Sequence, residues 1–203
     1  MKILTPILAM FICSTSLWAN TENENENEEV DPNRMGAYIS FGVLGDFALR
    51  GYDGAEVSRD ARMTYQVEVG NKFFAIPISF SGGQSVQIYG IKPRVQFLIP
   101  LVEDYFLAGP GLGLVYNYWH SSFVLGEGRV STNISEFGTQ LSLQAMIRPT
   151  SFLHILITPA AYDFNVWRYV GVGDGAKGRG NFSTTKSSVG VVYSAGLAAG
   201  VTF

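Results

Sequence analysis

The strongest constraint on this chain is a two-residue period that keeps the same sign in one segment after another. In Ser187 to Phe203 the odd positions are Val189, Val191, Tyr193, Ala195, Leu197, Ala199, Val201 and Phe203, whereas the even ones are mostly Gly, Ser, Ala and Thr. Successive side chains of a strand point to opposite faces, so this is a strand with one greasy and one small or polar side. Ile134 to Arg148 repeats the split, with Glu136, Gln140, Ser142, Gln144 and Arg148 against Phe137, Leu141, Leu143, Ala145 and Ile147. Val86 to Ile99 sets Lys92, Arg94 and Gln96 against Tyr89, Ile91, Val95, Phe97 and Ile99. Arg62 to Gly70 sets Arg62, Gln66 and Glu68 against Met63, Tyr65, Val67 and Val69. In Tyr105 to Trp119, glycines 109, 111 and 113 and Asn117 oppose Phe106, Ala108, Leu112, Leu114, Tyr116 and Tyr118. Gly36 to Val43 and Phe73 to Phe80 behave alike, and in Phe152 to Val166 the parity slips near Ala160-Ala161, as a β-bulge would make it.

These segments amount to about eight strands, an even number that suits a closed antiparallel barrel. Gly70-Asn71-Lys72, Val102-Glu103-Asp104 and Arg148-Pro149-Thr150 read as tight turns, whereas Gly45 to Ala61, His120 to Asn133 and Val170 to Lys186 read as long polar loops. With only Ser81 to Ser85 short among the second set, short and long connections alternate, which is the pattern of periplasmic turns and extracellular loops and puts both termini in the periplasm. The sign of the alternation separates a membrane barrel from a soluble one. A soluble barrel is apolar inside and a quarter to a third charged outside. Here the charges share a narrow face with Gln, Ser and Gly, and the opposite face carries almost none along five or six strands. The chain is 47% apolar and only 15% charged, against a usual ~25%. Closure leaves no backbone group unpaired in hydrocarbon, so the pattern predicts an all-β, closed antiparallel eight-stranded transmembrane β-barrel. Tyr105, Phe106, Tyr118, Trp119, Phe152, Trp167 and Phe203 near strand ends fit interfacial girdles.

The N-terminal region reads as an address. Lys2, the apolar run Ile3 to Ile12 and the small Ala19 form a signal peptide over 1–19, and its Cys13, the single cysteine, leaves with it. Residues 20–33, NTENENENEEVDPN, hold six acidic groups and almost nothing apolar, so they predict a disordered periplasmic spacer before a barrel over 34–203. From Arg34 onward there are 13 Lys+Arg and 11 Asp+Glu, and nothing suggests nucleic acid. Pro77, Pro93, Pro110 and Pro159 fall inside predicted strands, where each deletes a ladder bond, so they are expected at bulges or near rims.

With these features the chain resembles the small eight-stranded outer-membrane barrels of the OmpA transmembrane-domain, OmpX and opacity-protein type. The carboxy-terminal Gly200-Val201-Thr202-Phe203 is similar to the signal read by the barrel-assembly machinery, with Phe203 as its aromatic end and Val201 where such families usually carry another aromatic. Gly109-Pro110-Gly111-Leu112-Gly113-Leu114 is similar to a glycine-rich strand common in such barrels. The resemblance implies a cell outer membrane location in a Gram-negative bacterium, a monomer, and contact with outer-membrane lipid and lipopolysaccharide.

The predicted site is a polar network in the lumen: Arg62, Gln66, Glu68, Lys92, Arg94, Gln96, Glu136, Gln140, Gln144 and Arg148. In so small a barrel side chains fill the interior, so the first expectation is a paired plug and the second a narrow pore gated by Glu/Arg switching. A lipid A-modifying enzyme would need a serine and an acid beside His154, but Leu156 stands two residues on and no acid precedes Asp163. His120 has no second ligand at metal spacing. Gly173 to Gly178 matches G-x-G-x-x-G by letter only, with no helix to follow it, although Arg179 and Lys186 make that loop basic enough to meet lipopolysaccharide phosphates. No catalytic residue, metal or cofactor is expected, and the function read from the sequence is structural or surface interaction through the loops.

Overall fold

The computed structural model describes residues 36–50, 62–83, 86–103, 105–125, 128–174, 180–185 and 190–203. The expected leader at 1–19 and spacer at 20–33 lie outside the described residues, as do 175–179 of the glycine-containing loop. The described elements are all strands. β1 (Tyr38–Arg50), β2 (Arg62–Gly70) and β3 (Phe74–Gly82) pair in sequence; β4 (Val86–Ile91), β5 (Arg94–Gln96) and β6 (Ile99–Val102) then follow one another along a single wall position. β7 (Phe106–Leu125), β8 (Gly128–Ile147) and β9 (Leu153–Asp174) come next, and β10 (Gly180–Thr185) and β11 (Gly190–Thr202) share the last position. β11 returns to β1, from Tyr38↔Thr202 to Arg50↔Val191, and the ring closes as an eight-stranded antiparallel barrel.

The alternation is resolved with the charges inside. Glu68 and Gln96 are 0% exposed, while Met63, Leu112 and Leu114 on the outer wall are 60% exposed or more. Along β8 the outward row is Ile147, Ala145, Leu143, Leu141, Thr139 and Phe137, and beyond it come Ser135, Asn133 and Ser131. At the usual strand rise and barrel tilt that apolar row stands about 25 Å tall, the height of the lipid-facing band of outer-membrane barrels. An apolar belt of this kind would drive a barrel out of water and is stable in lipid.

The three tight turns form one rim. Asn71 organises the first: its Oδ1 accepts from Phe73 N at 2.8 Å and Phe74 N at 2.9 Å, and its own N–H reaches Phe74 O at 2.7 Å. In the second, Glu103 takes a φ of 43°, and Tyr105 N closes on Val102 O at 3.1 Å. In the third, Thr150 Oγ1 accepts from Leu153 N at 3.1 Å.

The far rim differs from expectation. His120 to Asn133 and Val170 to Lys186 read from the sequence as loops, yet β7 and β8 run on as a hairpin to Leu125↔Gly128, and β9 continues to Asp174 with β10 beside it. β1 likewise continues to Arg50. The stretch is rich in Ser, Thr and Asn, and no regular apolar alternation marks it as strand.

The prolines divide. Pro159 sits at a bulge: the β8–β9 register shifts between Leu143↔Ala160 and Ala145↔Ile157, and the β9–β11 register shifts between Ser194↔Ala161 and Gly196↔Thr158. Inward positions accordingly change from His154, Leu156 and Thr158 to Ala161, Asp163 and Asn165. Pro77, Pro93 and Pro110 do not sit at bulges. They border the β4–β5–β6 position with its register intact, from Ile78↔Ile91 to Ala75↔Arg94 on one side and from Ile91↔Tyr116 to Arg94↔Gly113 on the other. Each keeps the acceptor half of its pair: Pro77 O takes Lys92 N at 2.9 Å, Pro93 O takes Leu114 N at 2.9 Å, and Pro110 O takes Phe97 N at 3.0 Å. An antiparallel pair normally exchanges two bonds, so a proline halves the pair without displacing the register. All three half-pairs fall at the breaks that divide this wall position into three short strands.

A protein with this wall should be resistant to detergent unfolding and migrate faster on a gel unheated than boiled. Gly109→Val places a Cβ against the Phe97 carbonyl across the wall, and only the slow, unfolded band is expected from it on that gel.

Candidate functional site

The lumen is built in layers. At the short-turn rim Tyr38, Leu98, Leu107, Met146 and Leu156 pack together, each no more than 1% exposed. This apolar seal was not expected from the sequence, which presents its members singly on otherwise polar faces.

Above the seal lies the tightest polar cluster. Glu68 Oε1 accepts from Tyr38 Oη at 2.6 Å and from Arg94 Nη2 at 2.5 Å, while its Oε2 accepts from Gln66 Nε2 at 2.9 Å. Arg94 Nε also donates to Gln96 Oε1 at 3.1 Å, and Gln96 Nε2 donates to Tyr38 Oη at 2.9 Å and to Asn71 O at 2.7 Å. The glycine-rich strand makes room for this arginine: a Cβ at Gly113 would lie 2.7 Å from Arg94 Cβ, and one at Gly111 would lie 3.2 Å from Arg94 Cδ.

The next layer joins β4–β5 to β9. Lys92 Nζ lies 2.7 Å from Asp163 Oδ2, and Gln140 Nε2 donates to Asp163 Oδ1 at 2.7 Å. Beside it Thr158 Oγ1 donates to Gln144 Oε1 at 2.9 Å. Toward the far rim a cavity of about 30 Å³, space for a water or so, is lined by Asp46, Arg62, Thr64, Lys92, Trp119 and Glu136 among others. Thr64 Oγ1 donates to Asp46 Oδ2 at 2.5 Å and Trp119 Nε1 to Glu136 Oε2 at 3.0 Å. The Arg62 guanidinium covers the Trp119 ring at 4.6 Å, and Arg168 Nε lies 3.7 Å from Glu136 Oε1.

Nine of the ten residues singled out from the sequence thus fall in three successive layers of one lumen. Arg148 does not join them. It lies buried at the short-turn rim and donates to Ser151 O at 3.0 Å. Sequence reasoning missed Tyr38, Asp46, Asp163, Arg168 and the seal. Asp163 would have been legible had the parity of Phe152 to Val166 been restarted after Pro159. His154 is buried, its Nδ1 3.1 Å from Thr202 Oγ1 and its ring edge-on to Tyr38 at 5.2 Å. The buried Ser40 stands beside it beyond Gly200 and pairs in register with Glu68, but among the described residues no hydrogen bond joins the ring to either. No group of three His, Cys, Asp or Glu converges as a metal site among the described residues.

The second candidate surface is the part of β7, β8, β9 and β10 that continues past the pairing of β4 with β7, which stops at Val86↔Ser121. Just below its start, on the outer side, Asn133 Oδ1 accepts from Tyr118 Oη at 2.9 Å and lies 2.7 Å from His120 Nδ1.

A closed antiparallel eight-stranded barrel with an apolar outer belt and a charged, packed interior is the architecture of the small outer-membrane barrels. The solved structures agree. Neisserial surface protein A matches with a TM-score of 0.55 at 12% identity, over 83% of this chain and 97% of that one. A major outer membrane protein from Thermus thermophilus matches with a TM-score of 0.52 at 13% identity, over 82% and 99%. At such identities the likeness is one of fold. The sequence matches no family model and no curated protein.

Glu68 is the member whose loss orphans most partners. Glu68→Ala is expected to destabilise the barrel by about 3–5 kcal/mol, because a buried guanidinium loses its counter-charge. Glu68→Met with Arg94→Met should recover most of that loss, measured by urea unfolding in lipid vesicles.

Proposed function

We propose that the chain is an integral outer-membrane barrel that acts through its surface, by interaction at the projecting β7–β10 sheet, rather than by catalysis or transport. The observation that carries this reading is the blocked lumen. The apolar seal of Leu98, Leu107, Met146 and Leu156, the Glu68–Arg94 cluster and the Lys92–Asp163 bridge lie one above another, so a solute would have to break each in turn. The short-turn rim is then periplasmic and the projecting sheet extracellular.

In the same reading residues 1–19 direct export, 20–33 form a periplasmic spacer, and Phe203 presents the barrel to the assembly machinery. The barrel is a monomer in contact with outer-membrane lipid and lipopolysaccharide. His154 serves as a buried group hydrogen-bonded to Thr202 and packed edge-on against Tyr38 rather than as a catalyst. The lumen pairs Arg94–Glu68, Lys92–Asp163 and Arg168–Glu136 take the place of a hydrophobic core.

The purified barrel in a planar bilayer should give no steady conductance, and Lys92→Ala should not open it, because the seal beneath is untouched. Removing 122–131 from the β7–β8 hairpin should leave heat-modifiable migration intact while abolishing adhesion of the expressing cells to surfaces or host matrix. Steady single-channel currents from the intact protein would overturn the reading.

A further inference from the structure

We infer that the outer face of β7, β8 and β9, directly above the apolar belt, is a saccharide-binding patch that holds the headgroup of a glycolipid of the surrounding outer leaflet. The inference rests on the proposed orientation, in which this rim faces outward.

The belt ends in three aromatic side chains placed side by side, because Tyr116 pairs with Phe137 and Phe137 with Trp167. Tyr116 and Phe137 have ring centroids 4.7 Å apart, and Trp167 is 67% exposed. One step outward the row is Tyr118, Ser135 and Tyr169. Two tyrosines therefore stand on either side of a small residue, separated by two strand spacings, roughly 9–10 Å. The step beyond is His120, Asn133 and Gly171, again with no bulk on β9. The result is a shallow trough with aromatic walls, whose floor residue Ser135 is met by the Tyr116 hydroxyl at 3.4 Å.

Its polar atoms are fixed in complementary roles. Asn133 Oδ1 can only accept, and it takes both the Tyr118 hydroxyl and His120 Nδ1. His120 therefore carries its proton on Nδ1, which leaves Nε2 as an acceptor, and the Asn133 amide keeps its two N–H donors. Among the described residues neither Nε2 of His120 nor the Asn133 amide nitrogen has a protein partner. A donor pair beside an acceptor matches neighbouring hydroxyls of a sugar, each of which both donates and accepts. Aromatic faces match the apolar C–H side of its ring, and Tyr and Trp suit a site that is greasy at one end and wet at the other.

Continuity decides the source of the sugar. Leu112, Leu114 and Leu141 of the belt lie below the trough on the same strands. A lipid whose acyl chains rest on that belt carries its headgroup to the level of Tyr118 and Asn133. A free oligosaccharide would gain nothing from the belt.

The test is competition between two lipids with identical acyl chains, galactosyl diacylglycerol and phosphatidylglycerol, for the full chain in detergent, followed by native mass spectrometry. The sugar lipid should be retained about tenfold or more in preference, the size expected from two or three hydrogen bonds. Asn133→Ala with His120→Ala should erase the preference, and Trp167→Ala should reduce it, while all variants keep the fast-migrating folded band. Equal retention of the two lipids, or a preference that survives the Asn133 and His120 changes, overturns the inference and reduces the aromatics to an interfacial girdle. Recovery of the chain outside the outer membrane on cell fractionation would instead overturn the surface reading on which it rests.

Discussion

Closure of β1 onto β11 is the constraint from which the rest of this structure follows. In hydrocarbon an unpaired backbone amide costs several kcal/mol, so a sheet can enter a membrane only when its first and last strands meet. The register from Tyr38↔Thr202 to Arg50↔Val191 supplies that meeting along the whole of β1. Once the ring is closed, the alternating side chains divide between a lipid face and an interior, and eight strands enclose a space that side chains must fill.

How that space is filled sets what the protein can do. The interior is charged rather than greasy, and it is stable because each layer pairs its charges: Arg94 with Glu68, Lys92 with Asp163, Arg168 with Glu136. Buried pairs of this kind contribute little net stability over an apolar core, but breaking one is costly. They also fix register, since shifting any strand by one residue would turn its charges into lipid. The glycines at 109, 111 and 113 serve the same end, because the Arg94 side chain and the Phe97 backbone occupy the space that side chains on β7 would need. With the lumen occupied, chemistry is left to the outer surface and to the sheet that rises above the belt.

The wall is not uniform. Three prolines border the β4–β5–β6 position and leave it with half-pairs on both sides, although its register holds. The pairing lost there is offset by side chains that stitch the same position to its neighbours and across the lumen, namely Lys92 to Asp163, Arg94 to Glu68 and Gln96 to Tyr38 and the Asn71 carbonyl. A wall position short of backbone bonds thus carries a dense set of interior ones.

The two-residue period by itself determined the barrel class, the face that meets lipid, the tight turns and most of the inward polar residues, because alternation is a local property that survives in any closed sheet. It also located the bulge near Pro159, since an extra residue reverses parity wherever it occurs. The tertiary structure alone decided the rest. Asp163 becomes the partner of Lys92 only after that reversal is placed between two particular neighbours. Leu98, Leu107, Met146 and Leu156 come from four distant segments, and only the ring brings them together as a seal. The long polar arms of β7 to β10 carry no regular apolar period, so their strand character comes from pairing with each other and not from any pattern of their own.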